Sequence, residues 1–286
     1  MTHVRALDGT RFGIAGAGLI GGSIALRVRE LGATVRVFDR DAAVIERARA
    51  CGAADASAAD LRALAAQCDV LVLAMPVDAT CAALVELTQS AGPLPDLILD
   101  VASVKCAVVA AGARLAQFVG THPIAGREQG GIAEADARLF CGAAWAHVPH
   151  ADAARIARVR ALIVAMDARP FEIDAADHDE ILAMTSHLPQ LLSVLLGSEL
   201  ADAERADGRV AELSGTGMQS MLRLARSPES VWGPIFAANA RPVAARVRSF
   251  ARALADAADA LDEADISRLM AYFGNARRGT PAAPLS

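Results

Sequence analysis

The chain has 286 residues and a mass of 29.6 kDa, a length that suits two domains or one large one. Its formal net charge is −5 and we find no run of basic residues, which argues against nucleic acid as a partner. The five cysteines are dispersed without a CxxC pair, so we expect no disulfide framework, no bound metal and a reducing, cytoplasmic environment. We also expect no membrane partner, because no signal peptide or uninterrupted apolar segment of spanning length is present.

The first predicted unit is a strand, a glycine-rich turn and a helix. Apolar residues 12–15 lead into a GxGxxG sequence formed by Gly16, Gly18 and Gly21, and residues 23–28 have a helical pattern. In this motif the first glycine makes the tight turn, the second lets the backbone approach a pyrophosphate, and the third packs the helix on the strand. The N–H groups of the helix start, including those of Leu19 and Ile20, would then face the phosphates.

A second strand, residues 34–38, ends at Asp39, which lies 21 residues beyond Gly18. A carboxylate at this position accepts the ribose hydroxyls of an adenosine. Asp39 would also repel the 2′-phosphate of NADP, so we predict NAD as the cofactor, although Arg40 next to it could soften that repulsion. The simpler alternative is a glycine-rich turn without a ligand.

Further apolar runs alternate with helical patterns up to residue 173. The predicted strands are residues 69–75, 97–101, 118–121, 143–148 and 169–173. This alternation predicts an α/β dinucleotide-binding (Rossmann) domain with a doubly wound parallel sheet, residues 1–173.

The pattern changes after residue 174, where we find no further strand signal. Residues 177–200 form one long helical pattern, in which Pro189 predicts a kink, and shorter patterns cover residues 220–226, 230–239 and 242–260. We therefore predict an all-helical second domain, residues 174–286.

Ligands of open α/β sheets bind beyond the carboxyl ends of the strands. Ser103 and His122 follow two predicted strands. Met75 ends a third and Pro76 follows it, and we assign both to the cofactor site. A histidine is the natural base near neutral pH, and the proline after His122 favours an extended backbone there. A structural histidine bonded to a nearby loop remains an equal alternative.

Two residues of the helical half are further candidates. His187 precedes the predicted kink at Pro189, which indicates either a pocket wall or a capped break between two helices. Arg223 stands among apolar neighbours, and a half-buried arginine there needs an anion, either a protein acid or a substrate carboxylate.

Several blocks of the sequence resemble the prephenate/arogenate dehydrogenase family, the NAD-dependent enzymes of tyrosine synthesis. The matching blocks are GAGLIGGS (16–23), LDVASVK (99–105), THPIAGRE (121–128), SHLPQ (186–190) and RLARSPESVWGPIFAAN (223–239). They follow the family's order, and the first and third are fairly specific in combination. The resemblance implies an N-terminal dinucleotide-binding domain and a C-terminal helical dimerisation domain, and hence a homodimer.

The resemblance also implies roles for individual residues. His122 matches the catalytic histidine that hydrogen-bonds the ring hydroxyl, and Ser103 matches the serine that orients this hydroxyl and the nicotinamide. Arg223 matches the arginine that holds a substrate carboxylate. The remaining matches line the same cleft: Glu128, His187 and Gln190, the last standing where many relatives have a histidine.

The implied reaction is NAD-dependent oxidative decarboxylation of prephenate to 4-hydroxyphenylpyruvate, with arogenate, or an amino-substituted prephenate, as the alternative substrate. Two other classes stay open. A β-hydroxyacid dehydrogenase or imine reductase usually has a catalytic lysine in the long helix, and residues 177–200 contain none. A non-enzymatic NAD sensor would need no histidine beside the nicotinamide.

Overall fold

The computed structural model describes residues 6–127 and 129–279. These residues form two compact units, the first extending through Asn239 and the second starting at Ala240. The domain boundary expected between residues 173 and 174 stays a prediction.

Six parallel strands form the main sheet of the first unit. They are β1 Arg11–Ala15, β2 Thr34–Phe38, β3 Ala56–Ser57, β4 Val70–Leu73, β5 Leu97–Asp100 and β6 Phe118–Val119. Their spatial order, β3-β2-β1-β4-β5-β6, is that of dinucleotide-binding folds and places the switch point next to β1. The predicted doubly wound parallel sheet is confirmed, and the two-residue β3 is the strand that its sequence did not predict.

The central strands are apolar on both faces because helices cover both sides of the sheet. Val70 and Val72 of β4 belong to one apolar cluster, and Leu71 and Leu73 belong to the other. The surrounding helices are α1 Leu19–Glu30, α2 Ala42–Ala50, α3 Leu61–Ala65, α4 Val77–Thr88, α5 Cys106–Gly112 and α6 Ala153–Ala165.

A second, smaller sheet carries His122. Its strands are β7 Thr121–Pro123, β8 Ala144–His147 and β9 Arg169–Glu172, with β7 antiparallel and β9 parallel to β8. The single strand expected over residues 118–121 is therefore wrong in its extent. The chain leaves the main sheet at Gly120, and His122 lies inside β7, paired with Ala146, instead of following a strand.

Helices make up the rest of the first unit, in agreement with the predicted change of pattern. They are α7 Ala175–Leu182, α8 Leu188–Ala206, α9 Arg209–Glu212, α10 Thr216–Met221 and α11 Glu229–Ala238. Instead of a simple kink at Pro189, a five-residue π-helical turn, Ala183–His187, joins α7 to α8. Pro189 lies in the first turn of α8, where its missing N–H is tolerated. The helix expected over residues 220–226 is shorter, because α10 ends at Met221 and a 3₁₀ turn follows at Leu224–Arg226.

The continuous helical run Ala175–Ala206 corrects the expectation that the chain has no apolar segment of membrane-spanning length. By length and composition alone it could cross a membrane, since one 18-residue window has a mean hydropathy of 1.3. Such a single helix is weak evidence for a membrane protein. The run also carries the buried polar side chains of His178, Asp179 and His187.

The second unit is a pair of helices, α12 Ala240–Asp262 and α13 Ile266–Gly279. Arg268 of α13 binds Asp256 of α12, and Tyr272 donates to the same carboxylate at 2.8 Å. Large apolar side chains on both helices are nevertheless exposed: Phe250, Leu254, Leu261, Ile266, Met270 and Phe273.

Candidate active site

The glycine turn between β1 and α1 has the geometry that binds a pyrophosphate. Gly16 has φ +90°, and a Cβ at this residue would lie 2.4 Å from the carbonyl oxygen of Ala74. A Cβ at Gly21 would lie 1.9 Å from the carbonyl oxygen of Gly16, so no side chain fits at either position. In contrast, a Cβ at Gly18 would meet no atom within 4 Å, which leaves open space in front of the helix start. No side chain caps α1, so the N–H groups of its first turn can serve a ligand.

Asp39 lies beside this turn, as the spacing predicts. Its carboxylate accepts hydrogen bonds from the backbone N–H groups of Ala17, at 2.9 Å, and Asp41, at 3.0 Å. Each carboxylate oxygen has a further lone pair for a ribose hydroxyl. Arg40 is exposed. The residues present therefore fit a dinucleotide with unmodified ribose hydroxyls.

The other predicted cofactor residues follow two neighbouring strands of the main sheet, β4 and β5. The Cγ of Met75, after β4, lies 3.0 Å from where a Gly16 Cβ would be. Pro76 is the N-cap of α4 and is exposed. Ser103 is half-buried in the loop between β5 and α5.

His122 is buried and bonded to a second histidine. Its Nδ1 lies 2.9 Å from Nε2 of His178, and Nδ1 of His178 lies 2.8 Å from Oδ1 of Asp179. Asp179 also accepts the backbone N–H groups of Lys105, at 2.7 Å, and Cys106, at 2.8 Å, where α5 starts. This chain of groups, His122–His178–Asp179, is not predicted by the sequence patterns above.

His187 belongs to the same buried cluster. Asn239 donates from Nδ2 to the carbonyl oxygen of Asp179, at 2.8 Å, and lies 3.0 Å from Nδ1 of His187. The Nε2 of His187 has no hydrogen-bond partner within the described part of the chain. The ring stands edge-on to Trp232, with 6.0 Å between centroids. The sequence contained one usable signal, because Asp179 and His187 are eight residues apart and so share a helix face.

A buried ion pair fixes the backbone next to His122. Lys105, the only lysine of the chain, binds Asp100, and neither side chain is exposed by more than 1%. The Lys105 ammonium also donates to the carbonyl oxygen of Thr121 at 2.7 Å, and Asp100 accepts the N–H of Thr121 at 2.9 Å. Both backbone groups of the residue before His122 are thus held by charged partners.

The electrostatics of the cluster keep His122 neutral and Asp179 ionised. Burial, together with the nearby Lys105 charge, lowers the pKa of His122 well below 6.5. Burial alone would raise the pKa of Asp179, but hydrogen bonds from His178 and from the two backbone N–H groups outweigh it and lower that pKa. Burial also lowers the pKa of His187 to about 4. A neutral imidazole next to a fixed carboxylate is the form that can accept a proton.

A cleft of about 650 Å³ contains two other predicted substrate residues, Gln190 and Arg223. Its lining includes Arg127, Glu134, Gln190, Arg223, Ser227 and Trp232. Since Trp232 also contacts His187, the cleft adjoins the histidine cluster. Arg223 is exposed in this cleft, and the expectation of a half-buried arginine is wrong, because the chain turns between α10 and the following 3₁₀ turn. Glu128 lies outside the described residues.

Two side chains of this cleft have well-defined partners. Gln190 is buried and donates from Nε2 to the carbonyl oxygen of Leu224 at 2.8 Å, while its Oε1 has no partner among the residues described. Arg127 lines the cleft and donates to Asp136 at 2.6 Å and to the carbonyl oxygen of Glu134 at 3.0 Å.

Comparisons with known proteins agree with this geometry. The family model "Prephenate dehydrogenase, nucleotide-binding domain" matches residues 24–171, and "Prephenate dehydrogenase, dimerization domain" matches residues 174–275. The probable prephenate dehydrogenase NovF of Streptomyces niveus is 32% identical over 255 residues, which are 87% of this chain and 68% of that protein. The cyclohexadienyl dehydrogenase of Zymomonas mobilis is 27% identical over 278 residues, 93% of either chain.

A solved structure gives the same result for the fold. The prephenate dehydrogenase of Aquifex aeolicus, in complex with hydroxyphenyl propionate and NAD+, is 22% identical and superposes with a TM-score of 0.87 over 96% of this chain and 98% of that one. A doubly wound sheet with a glycine turn and Asp39 after β2 defines a dinucleotide-binding protein. Together with the matched models, this shows that the chain belongs to the prephenate dehydrogenase family. The family resemblance inferred from the sequence blocks is confirmed, and neither rival class holds.

Proposed function

We propose that this chain catalyses the NAD-dependent oxidative decarboxylation of prephenate to 4-hydroxyphenylpyruvate in tyrosine biosynthesis, as a cytoplasmic homodimer. The observation that carries the proposal is the buried, neutral His122, held by His178 beside the cleft that Arg223 lines. A base in this form can take the proton of a ring hydroxyl, and an arginine at the cleft can hold a carboxylate.

The cofactor fits the glycine turn and Asp39. The N–H groups of Leu19, Ile20 and Gly21, next to the open space at Gly18, would hold the pyrophosphate, and Asp39 would hold the adenosine ribose. Met75, Pro76 and Ser103, at the ends of β4 and β5, would line the nicotinamide side of the site. NAD, when bound, supplies the acceptor for hydride.

His122 handles the proton of the reaction. Its Nε2 accepts the proton of the ring hydroxyl as the C–H bond of the same carbon breaks, so that a carbonyl forms there. Cleavage of the bond to the ring carboxylate then releases carbon dioxide, and its electron pair completes the aromatic ring. The ring oxygen takes the proton back from His122. Arg223 binds a substrate carboxylate throughout, and Ser103 orients the hydroxyl.

Arogenate is the second candidate substrate, and Gln190 favours it. Arogenate carries an ammonium group where prephenate carries a keto group. The buried Oε1 of Gln190 is an acceptor without a partner in the described structure, whereas a histidine at this position could become cationic. Arg127 lines the cleft, where its positive charge would repel the ammonium group of arogenate and so favour prephenate. Asp136 and Glu134, however, neutralise this charge. Prephenate remains the principal substrate, because both matched family models are those of prephenate dehydrogenase, and arogenate is an accepted one.

The test is nicotinamide absorbance with NAD and each of the two substrates. We expect turnover of prephenate with formation of 4-hydroxyphenylpyruvate and carbon dioxide, and a lower kcat/KM for arogenate. The variant Gln190→His should shift the ratio further towards prephenate, while Gln129→His, elsewhere in the same lining, serves as the control. Absence of turnover with either substrate would refute the proposed function, and an unchanged ratio would exclude Gln190 as a specificity residue.

A further inference from the structure

We propose that His178 and Asp179 are positioning residues that hold His122 in the tautomer with its lone pair on Nε2, the atom that faces the reaction. This inference rests on the proposed role of His122 as the base. It adds two residues, from a segment remote from His122, that act through His122 without contacting the substrate.

The order of donors and acceptors starts at Asp179. Its two carboxylate oxygens accept the N–H groups of Lys105 and Cys106 at the start of α5, which fixes the plane and the ionised state of the carboxylate. An ionised carboxylate can only accept hydrogen bonds. The Nδ1 of His178, 2.8 Å from Oδ1, must therefore carry the proton.

This assignment fixes both histidines in turn. A neutral His178 with a proton on Nδ1 has its lone pair on Nε2. His122, whose Nδ1 is 2.9 Å from that lone pair, must donate from Nδ1, which leaves its own Nε2 without a proton. The opposite tautomer of His122 would place two lone pairs against each other. The carboxylate thus selects the competent base through two successive hydrogen bonds.

The same groups affect how readily His122 takes up the proton. The imidazolium still donates from Nδ1 to His178, which lies between it and the Asp179 carboxylate. The other charged or titratable groups around His122 are Lys105, paired with Asp100, and His187, while Cys106 adjoins Asp179. Burial is the main factor that disfavours protonation of His122, and Lys105, His178 and His187 add to it. The Asp179 carboxylate is the negative charge at the far end of the hydrogen-bonded chain.

Three substitutions distinguish this role from a merely structural one. Asp179→Asn can donate from its amide to His178, which would invert both tautomers, so we expect kcat to fall by about 10²-fold or more with a smaller change in KM. His178→Phe removes the acceptor for His122 and should have a similar effect. His178→Gln keeps an oxygen acceptor for Nδ1–H and should retain more activity than His178→Phe. His150→Gln, outside the cluster, is the control and should behave as wild type.

A double variant separates coupling from loss of structure. In a His122→Asn background, adding His178→Phe should cause no further fall in kcat, because the residue it positions is already absent. If His122→Asn is impaired while Asp179→Asn and His178→Phe keep wild-type kcat, the positioning role is refuted but the proposed base stands. If His122→Asn itself keeps wild-type kcat, the base assignment fails, and this inference with it.

A spectroscopic measurement keeps the inference testable if a variant does not fold. The chain has six histidines, so selective ¹⁵N labelling gives a small set of ring signals, and those of His122 are the ones absent in His122→Asn. We expect wild-type His122 to be protonated at Nδ1 and unprotonated at Nε2 at neutral pH. Protonation at Nε2 instead would overturn the inference.

Discussion

We expect discrimination between NAD and NADP to be decided at Asp39. Its carboxylate is fixed by two backbone N–H groups, so it cannot readily turn away from a 2′-phosphate. We expect Asp39→Ser to narrow the preference for NAD, measured as the ratio of kcat/KM for the two cofactors. Asp41→Ser is the matched control, because it removes a neighbouring carboxylate while serine preserves the N-cap of α2. Equal use of both cofactors by the wild type would show that Asp39 has another role.

Arg223 should act in binding more than in chemistry. A hydrogen bond between charged groups contributes about 1.5–3 kcal/mol, so Arg223→Ala should raise KM for prephenate about ten- to hundredfold with a smaller change in kcat. Arg226→Ala, in the 3₁₀ turn that follows Arg223, controls for the loss of positive charge. An effect on kcat alone would assign Arg223 to the transition state instead.

His187 makes the stability of the protein depend on pH. Its pKa is about 4 in the folded protein against 6.5 for an unperturbed histidine. Between these values the unfolded chain binds more protons, so stability falls as the pH is lowered from about 6.5 to about 4, by about 3 kcal/mol for this group. Urea unfolding across this range should give a free energy of unfolding that depends less on pH for His187→Gln than for wild type or His150→Gln. The same pH dependence in all three proteins would contradict the low pKa assigned to His187.

The site was only partly predictable at this scale. Local sequence patterns were enough to predict His122, Asp39 and the three glycines, because each stands at a fixed distance from a predicted strand or helix. His178 is 56 residues from His122, and nothing local to either residue indicates their contact. Lys105 and Asp100 are only five residues apart, but nothing local indicates that both side chains are buried, because their burial depends on β7, whose Thr121 backbone both of them bind.

Within the glycine turn, two of the motif glycines should respond differently to the same substitution. Gly21→Ala would place a Cβ 1.9 Å from a backbone oxygen, so we expect a lower melting temperature even without cofactor. Gly18→Ala meets no protein atom, so the melting temperature of the apo protein should be kept while NAD binding weakens. Thermal unfolding with and without NAD, together with titration of NAD, distinguishes the two. A similar loss of apo stability in both variants would contradict this account of the turn.

The strands and helices themselves followed from hydropathy, because strands covered on both faces are continuous apolar runs and helices repeat every three to four residues. The division of residues 118–123 between two sheets did not follow. Gly120, between Val119 and Thr121, gives no local sign that the chain leaves one sheet for another. The sequence predicted only a kink at Pro189 and not the π-helical turn before it, because the missing N–H of a proline can be accommodated in more than one way.

For the whole molecule, we expect a homodimer formed through the helical part of the chain. Phe250, Leu254 and Leu261 repeat along one face of α12 and are exposed, a pattern typical of a helix that packs against a partner. Light scattering at micromolar concentration should give twice the chain mass of 29.6 kDa. Leu254→Glu should shift the protein towards the monomer, whereas Arg252→Glu, which leaves the apolar face intact, should not. A monomer mass for the wild type would refute the dimer.

The most direct test of the proposed mechanism is the steady-state rate of His122→Asn with prephenate and NAD. The lost interaction grows in the transition state, so kcat should fall by about 10²–10⁴-fold while KM changes modestly. NAD titration would verify that the variant still binds its cofactor. A variant that binds NAD and retains near wild-type kcat would contradict the account, because the proton would then be taken by another group.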